Sequence, residues 1–212
     1  MIEVVISAAI SLDGFLDDDA PERLVLSSEE DFAEVRRLRA NFDAILVGAE
    51  TIRRDNPSLR ASGKQPRRVT ITRSGVVSRE ARFFAGEGPR SVVLAPHRAA
   101  DDLRARIGDL ADVVSLERDD AFGIVAALES LGIRRLFVEG GARVLTGFLS
   151  AGLFTRLRLS IAPFFLGGRG RAHFVEPATF RHDKDRRLHL VGVRTLGNCA
   201  VLDLENTDVA VH

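Results

Sequence analysis

The chain has 212 residues, 30 Lys and Arg against 30 Asp and Glu, and a formal net charge of +0, so nothing in its balance attracts nucleic acid or a membrane surface. Its 45% hydrophobic and 28% charged residues can bury a core under a wet surface, and its length fits one large domain or two small ones. Cys199 is the single cysteine, which excludes an internal disulfide and a cysteine-built metal site. No apolar run reaches the roughly 20 residues of a membrane helix. Met1-Ile2-Glu3-Val4-Val5 reads as a strand rather than a leader, and a cytoplasmic protein is expected. With no Trp and no Tyr, stacking on a ligand falls to Phe or His, or else aliphatic side chains sandwich the ligand.

Residues 2–10 are apolar on both alternating faces, as in a central strand covered on two sides. Asp13-Gly14 marks a turn, and Asp17-Asp18-Asp19 reads as a solvated loop. Ser27 with Glu30 resembles a capping box, opening a helix with Phe32, Val35 and Leu38 on one side. Residues 43–48 form a second buried strand, 68–72 and 91–95 two short ones, and 113–114 a weaker one. Over 120–131, Phe122, Val125 and Leu128 fall at helical spacing, and Gly132 closes the helix. Residues 135–139 are another apolar strand; Gly140-Gly141 breaks it, and a helix over 142–149 ends at Gly152. The tail then changes: 157–163, 188–196 and 200–204 are strands without intervening helices. The pattern predicts an α/β fold, a mostly parallel sheet flanked by helices with antiparallel strands at its C-terminal edge.

Three segments bear on chemistry. In Val138-Glu139-Gly140-Gly141-Ala142, a strand runs through two glycines into a helix. Missing Cβ atoms allow close approach of a bound group, and the helix N-terminus offers free amides to a phosphate. The spacing is not G-x-G-x-x-G, so a standard Rossmann site is not indicated, and glycine pairs also serve as plain turns. Gly48-Ala49-Glu50-Thr51-Ile52-Arg53-Arg54-Asp55-Asn56-Pro57-Ser58-Leu59 begins at a strand end, where α/β sheets place ligands. Thr51 can donate to a phosphate and Asp55 can accept from hydroxyls or amides; the plainer reading is a short helix stopped by Asn56-Pro57. Ile10-Ser11-Leu12-Asp13-Gly14 is a sharp turn after the first strand. Arg39 at a helix end and Arg73 after a strand are candidate phosphate ligands. Gly167-Gly168-Arg169-Gly170-Arg171 reads as a solvated hairpin or loop. Hydrolase elbows, zinc-protease helices and Walker loops do not occur. The histidines, at 97, 173, 182, 189 and 212, are scattered, and one cysteine cannot build a deaminase zinc site.

Taken together and in order, Ser11-Leu12-Asp13-Gly14, Leu38-Arg39-Ala40 with Asp43-Ala44-Ile45-Leu46, the segment from Thr51 to Leu59, Val138-Glu139-Gly140-Gly141, Leu149-Ser150-Ala151-Gly152-Leu153 and Ile161-Ala162-Pro163-Phe164-Phe165-Leu166-Gly167 resemble the pyrimidine reductases of riboflavin biosynthesis. The resemblance covers nearly the whole chain and implies one reductase domain over 1–212, a dihydrofolate-reductase-like fold and a homodimer. It implies NADPH-dependent reduction of a pyrimidine ribosylamine 5′-phosphate to the ribitylamine. Ile10, Thr51, Asp55, Thr72, Arg73, Gly140, Gly141, Ala142, Arg143, Val144 and Leu145 match its cofactor-binding positions. Arg39, Leu59, Arg60 and Glu139 match or neighbour its substrate-binding positions. Asp55 and Glu139 are the motif carboxylates placed to act, as positioning groups first and proton donors second; no metal is implied. The chain departs from the family's pattern at Ser7, where bifunctional relatives carry lysine, at Ser62, where arginine is expected, and near Arg23, where a serine is replaced. These departures bear on the substrate. The alternatives are a reductase of the same fold acting on another pteridine or pyrimidine, and an NADPH-binding module without catalysis.

Overall fold

The computed structural model describes residues 2–208; Met1 and His212, both read in the sequence, lie outside them. The chain divides into two compact units. One comprises Ile2 and Arg36–Phe137; the other comprises Glu3–Val35 and the chain from Val138 onward.

The first unit carries four strands, β3 (Ala44–Gly48), β4 (Arg67–Ile71), β5 (Ser91–Pro96) and β6 (Ala111–Leu116), paired in parallel in that order. Ile45, Leu46, Val92, Val93 and Leu94 are fully buried, which is why these strands read as continuous apolar runs instead of alternating ones. Helices α2 (Ala49–Asp55), α3 (His97–Ile107) and α4 (Ala121–Ser130) connect or follow them. α3 has no counterpart in the sequence reading. Its buried face is only Ala100, Leu103 and Ile107 among charged residues, too sparse a stripe to stand out. α4 is capped by Asp120, which accepts from the Gly123 amide at 2.9 Å. Its expected face needs correction: Phe122 is 43% exposed beneath the Arg118 guanidinium. Because the cap starts the helix at Ala121, the stripe of Ala121, Ile124 and Leu128 is the one buried.

The second unit holds β1 (Glu3–Ser11), parallel to β8 (Arg156–Ala162), with β11 (Cys199–Glu205) antiparallel to β8 and β10 (His189–Leu196) antiparallel to β11. The antiparallel C-terminal edge is as expected. Helix α5 (Ala142–Ala151) ends on Gly152 at φ 67°, the left-handed cap that glycine favours. Strand β7 (Arg135–Gly140) and helix α1 (Glu29–Arg39) are each shared between the two units. The Asp17-Asp18-Asp19 loop is corrected: Asp17 and Asp18 lie in β2 (Phe15–Asp18), which pairs with β9 (Gly170–His173). The ring of Phe15 sits 4.2 Å from that of His173, and a Cβ on Gly170 would come within 2.5 Å of the Phe15 ring. Ring packing over a bare glycine thus outweighs the low strand propensity of aspartate.

The start of α1 is also corrected. Ser28, not Ser27, caps it, accepting from the Asp31 amide at 3.1 Å, while its hydroxyl donates to the Leu196 carbonyl at 2.8 Å. The packed face is polar. Asp31 is 0% exposed, whereas Phe32 is 38% exposed. Asp31 takes a hydrogen bond from Arg158 of β8, and Arg158 Nε reaches Glu34 at 3.0 Å. Arg194 of β10 then joins Glu34 and Asp203, each at 2.5 Å. Charge pairing, not the Phe32-Val35-Leu38 stripe, docks this part of the helix. Removing one partner of a buried pair leaves an uncompensated charge and costs about 3–5 kcal/mol. Arg158→Met is therefore expected to lower unfolding stability by about that amount in a urea titration, and Arg158→Met with Asp31→Leu to recover most of the loss.

Candidate active site

The junction of β7 and α5 lies in the second unit, except for the first residues of β7. Gly140 has φ 125° and Gly141 has φ 39°, conformations that side chains rarely adopt. Gly141 caps α5 with no side-chain bond to the helix. The first amides of α5 are thus left without a capping side chain, the arrangement that binds anions. Leu145 is fully buried and bonds its amide to the Gly141 carbonyl at 3.1 Å, anchoring the turn. Thr146 accepts from the Glu176 amide at 2.8 Å, and Arg143 lies exposed, 3.4 Å from Glu176. Glu139 is half-buried on β7.

In the same unit β1 ends at Ile10 and Ser11. Asp13 accepts from the Ser11 hydroxyl at 2.6 Å and from the amides of Leu166 and Gly167 at 3.2 and 2.7 Å. The Ser11 hydroxyl and then these amides hold its carboxyl down to about 2, against the desolvation that would raise it. The Asp-Gly turn is therefore a clamp between the end of β1 and the loop before β9. That loop holds a 3-10 turn at Gly167–Arg169, and β9 begins at Gly170, where the sequence predicted a solvated hairpin or loop.

The first unit contains Arg39, Thr51, Asp55, Leu59, Arg60, Thr72 and Arg73. Thr51 and Asp55 sit four apart on α2, hence on one face. α2 stops at Asn56, which adopts φ 41° and ψ 52°; the residue before Pro57 leaves the helix, as predicted, but into the left-handed region. Asn56 Oδ1 accepts from the Arg82 amide at 2.7 Å. Leu59 is buried with φ 51°, a strained conformation for a leucine, of the kind that clusters at functional sites. Arg39, 7% exposed, donates to the Arg60 carbonyl at 2.8 Å, so two expected substrate residues are joined directly. Gln65, unremarked in the sequence, closes the loop: its amide bonds both the N–H and the C=O of Ala61, at 3.1 and 2.9 Å. Thr72 and Arg73 follow β4. Thr72 is buried, and Arg73 pairs with Asp119 at 3.0 Å. Asp119 was also not singled out, because it lies just before the helix read over 120–131 and no local pattern marks its partner in Arg73. Among the described residues no group of His, Cys, Asp and Glu could hold a metal, and no helix is long and apolar enough to cross a membrane.

The model of the RibD C-terminal domain family matches residues 3–202. The chain belongs to that family. It is 33% identical over 181 residues to the 2,5-diamino-6-ribosylamino-4(3H)-pyrimidinone 5′-phosphate reductase of Archaeoglobus fulgidus, covering 78% of this chain and 82% of the relative. With the Methanothermobacter thermautotrophicus protein of the same name it shares 32% over 210 residues, covering 94% and 96%. The solved structure of Acinetobacter baumannii RibD shares the fold, with a TM-score of 0.80 at 23% identity over 98% of this chain, which spans 58% of that longer protein.

The Asp13 clamp gives a pH prediction. A carboxyl lowered on folding contributes stability above its unfolded value, near about 4, and loses it as pH falls toward about 2. Asp13→Asn is expected to be less stable than the native protein at neutral pH, with the difference in denaturant midpoint closing through that window. A difference unchanged down to the lower limit would show that the Asp13 charge does not hold the loop.

Proposed function

We propose that this chain, as one reductase domain, uses NADPH to reduce 2,5-diamino-6-ribosylamino-4(3H)-pyrimidinone 5′-phosphate, opening its ribosyl group to a ribityl chain. The observation that carries the reading is the β7–α5 junction, with two consecutive positive-φ glycines before a helix start free of side-chain caps, in a member of this family. The substrate is taken before deamination, because the two archaeal relatives of about this length carry that substrate in their names. In this reading the pyrophosphate of the cofactor lies at Gly140-Gly141 and the first turn of α5, residues Ala142 to Leu145, where positive φ disfavours side chains and the helix start has no capping side chain. Thr51 and Asp55 would meet the cofactor from α2, and Ile10 from the end of β1. Thr72 and Arg73 would meet the adenosine end, the guanidinium serving the 2′-phosphate.

A reduced nicotinamide supplies the hydride, and the protein's task is to orient the partners and exclude water. Arg39, at the end of α1, holds the loop of Leu59 and Arg60 ready for the substrate: it fixes the Arg60 carbonyl, and the exposed Arg60 side chain is available to a phosphate. Glu139 and Asp55 orient hydroxyl and amine groups first and move a proton second. The proposal includes a cytoplasmic homodimer. Its support is the exposed Leu190, Val191 and Val193 on β10, a strand paired only with β11 in its unit, since an apolar strand edge favours pairing with another chain.

Purified protein given NADPH and the diaminopyrimidinone phosphate is expected to consume reduced nicotinamide absorbance, and to do so more slowly with the deaminated uracil analogue. No turnover of either would overturn the reading. Gly141→Val is expected to abolish NADPH binding in a fluorescence titration while circular dichroism stays native. Arg39→Ala should raise KM for the phosphorylated pyrimidine roughly ten- to hundredfold, as losing one charge-assisted bond implies, with NADPH affinity near native. An unchanged KM would remove Arg39 from the substrate site.

A further inference from the structure

Arg73 does not stand alone at the end of β4. Its Nε lies 3.0 Å from a carboxylate oxygen of Asp119, and its Nη2 donates to the Asp119 carbonyl at 3.1 Å. β4 and β6 flank β5, so the pair bridges the C-terminal end of β5, where ligands of parallel sheets bind. The other oxygen of Asp119, Oδ1, is buried and has no hydrogen-bond partner, and the same holds for the Thr72 hydroxyl beside Arg73. Arg73 is 54% exposed and Asp119 32%, and ion pairs this open contribute little to stability. Fold stability therefore does not account for the carboxylate.

We propose that Asp119 is a specificity-determining residue for the nicotinamide cofactor, lowering the preference for NADPH over NADH. The inference rests on the proposed placement of the cofactor's adenosine end at Arg73. A 2′-phosphate bound by Arg73 must share a guanidinium whose Nε and one Nη2 hydrogen face Asp119, and it lies near a like charge. A ribose without that phosphate offers a hydroxyl in its place, which can donate to the partly exposed Asp119 carboxylate. Neutralising Asp119 without changing its shape removes the repulsion and weakens the side chain's hold on the guanidinium, while the bond to the Asp119 carbonyl stays.

The test measures dissociation constants of NADPH and NADH by titration calorimetry for the native protein, Asp119→Asn, Asp119→Ser and Arg73→Ala, each first checked by thermal unfolding. Asp119→Asn is expected to raise the NADPH-to-NADH affinity ratio about tenfold, by tightening NADPH and leaving NADH equal or weaker. Asp119→Ser should move the ratio the same way, and serves if the asparagine variant is unstable. Arg73→Ala should lower the ratio. If Arg73→Ala lowers it while neither Asp119 variant raises it, the role given to Asp119 is overturned and the placement at Arg73 stands. If Arg73→Ala leaves the ratio unchanged, the placement fails and the inference fails with it.

Discussion

The turn from β7 into α5 requires two consecutive residues at positive φ, Gly140 and Gly141. Much of the second unit is organised to meet that requirement. A side chain at either position would strain the backbone, and a capping side chain would occupy the amides that a phosphate needs. The turn must then be held from behind. Leu145, fully buried, does so through its amide bond to Gly141. Thr146 both donates to the Ala142 carbonyl at 2.7 Å and accepts from Glu176, tying a distant loop to the first turn. Rigidity behind an open amide surface is what a reductase needs, since its chemistry comes from the cofactor and its own contribution is placement.

The same division between open surface and braced interior recurs between α2 and β4. Pro57 ends the helix, Asn56 turns left-handed, and Leu59 is buried in a conformation that leucine resists. Such strain persists only where neighbours over-determine it. The neighbours are visible: Asn56 to the Arg82 amide, Arg39 to the Arg60 carbonyl, the Ser62 amide to the Arg36 carbonyl at 2.8 Å, and the Gln65 amide to both groups of Ala61. Arg60, at the centre of this loop, keeps an exposed side chain. Position 62, where an arginine is expected, carries a serine, so a cationic side chain is missing there while Arg60 and Arg39 are present.

How far the sequence was legible follows the nature of each signal. Buried parallel strands announced themselves because both faces are apolar: 43–48 and 91–95 match β3 and β5 almost residue for residue. Helix ends set by glycine, as at Gly132 and Gly152, were equally plain. Legibility failed where charge replaced apolar packing. The buried face of α1 is built around Asp31, paired with Arg158 from a strand 127 positions away, and no local pattern encodes a partner so distant. Phe32 and Phe122 misled for the complementary reason, since large apolar residues also stand on surfaces. At the candidate site, the glycines, Arg39 and Arg73 were singled out from motif and resemblance, and Asn56 only as a helix stop. Gln65 and Asp119 were not, because their bonds run to backbone or to a residue from another loop.

The charged groups of the candidate site also differ in what surrounds them, and that difference bears on what each can do. Asp13 is satisfied three times over, by a hydroxyl and two amides, so its carboxylate is committed to the fold and is ill suited to proton transfer near neutral pH. Arg39 is buried against a carbonyl, a fixed cation whose displacement would release the loop. Arg73 is half exposed and shared with Asp119, whose second oxygen still lacks a donor. A group already saturated by the protein can only hold structure, whereas one with an unmet valence in a buried place gains most from a ligand. By that criterion the end of β4, not the Asp13 turn, is the place at which we propose that the cofactor's identity is sensed.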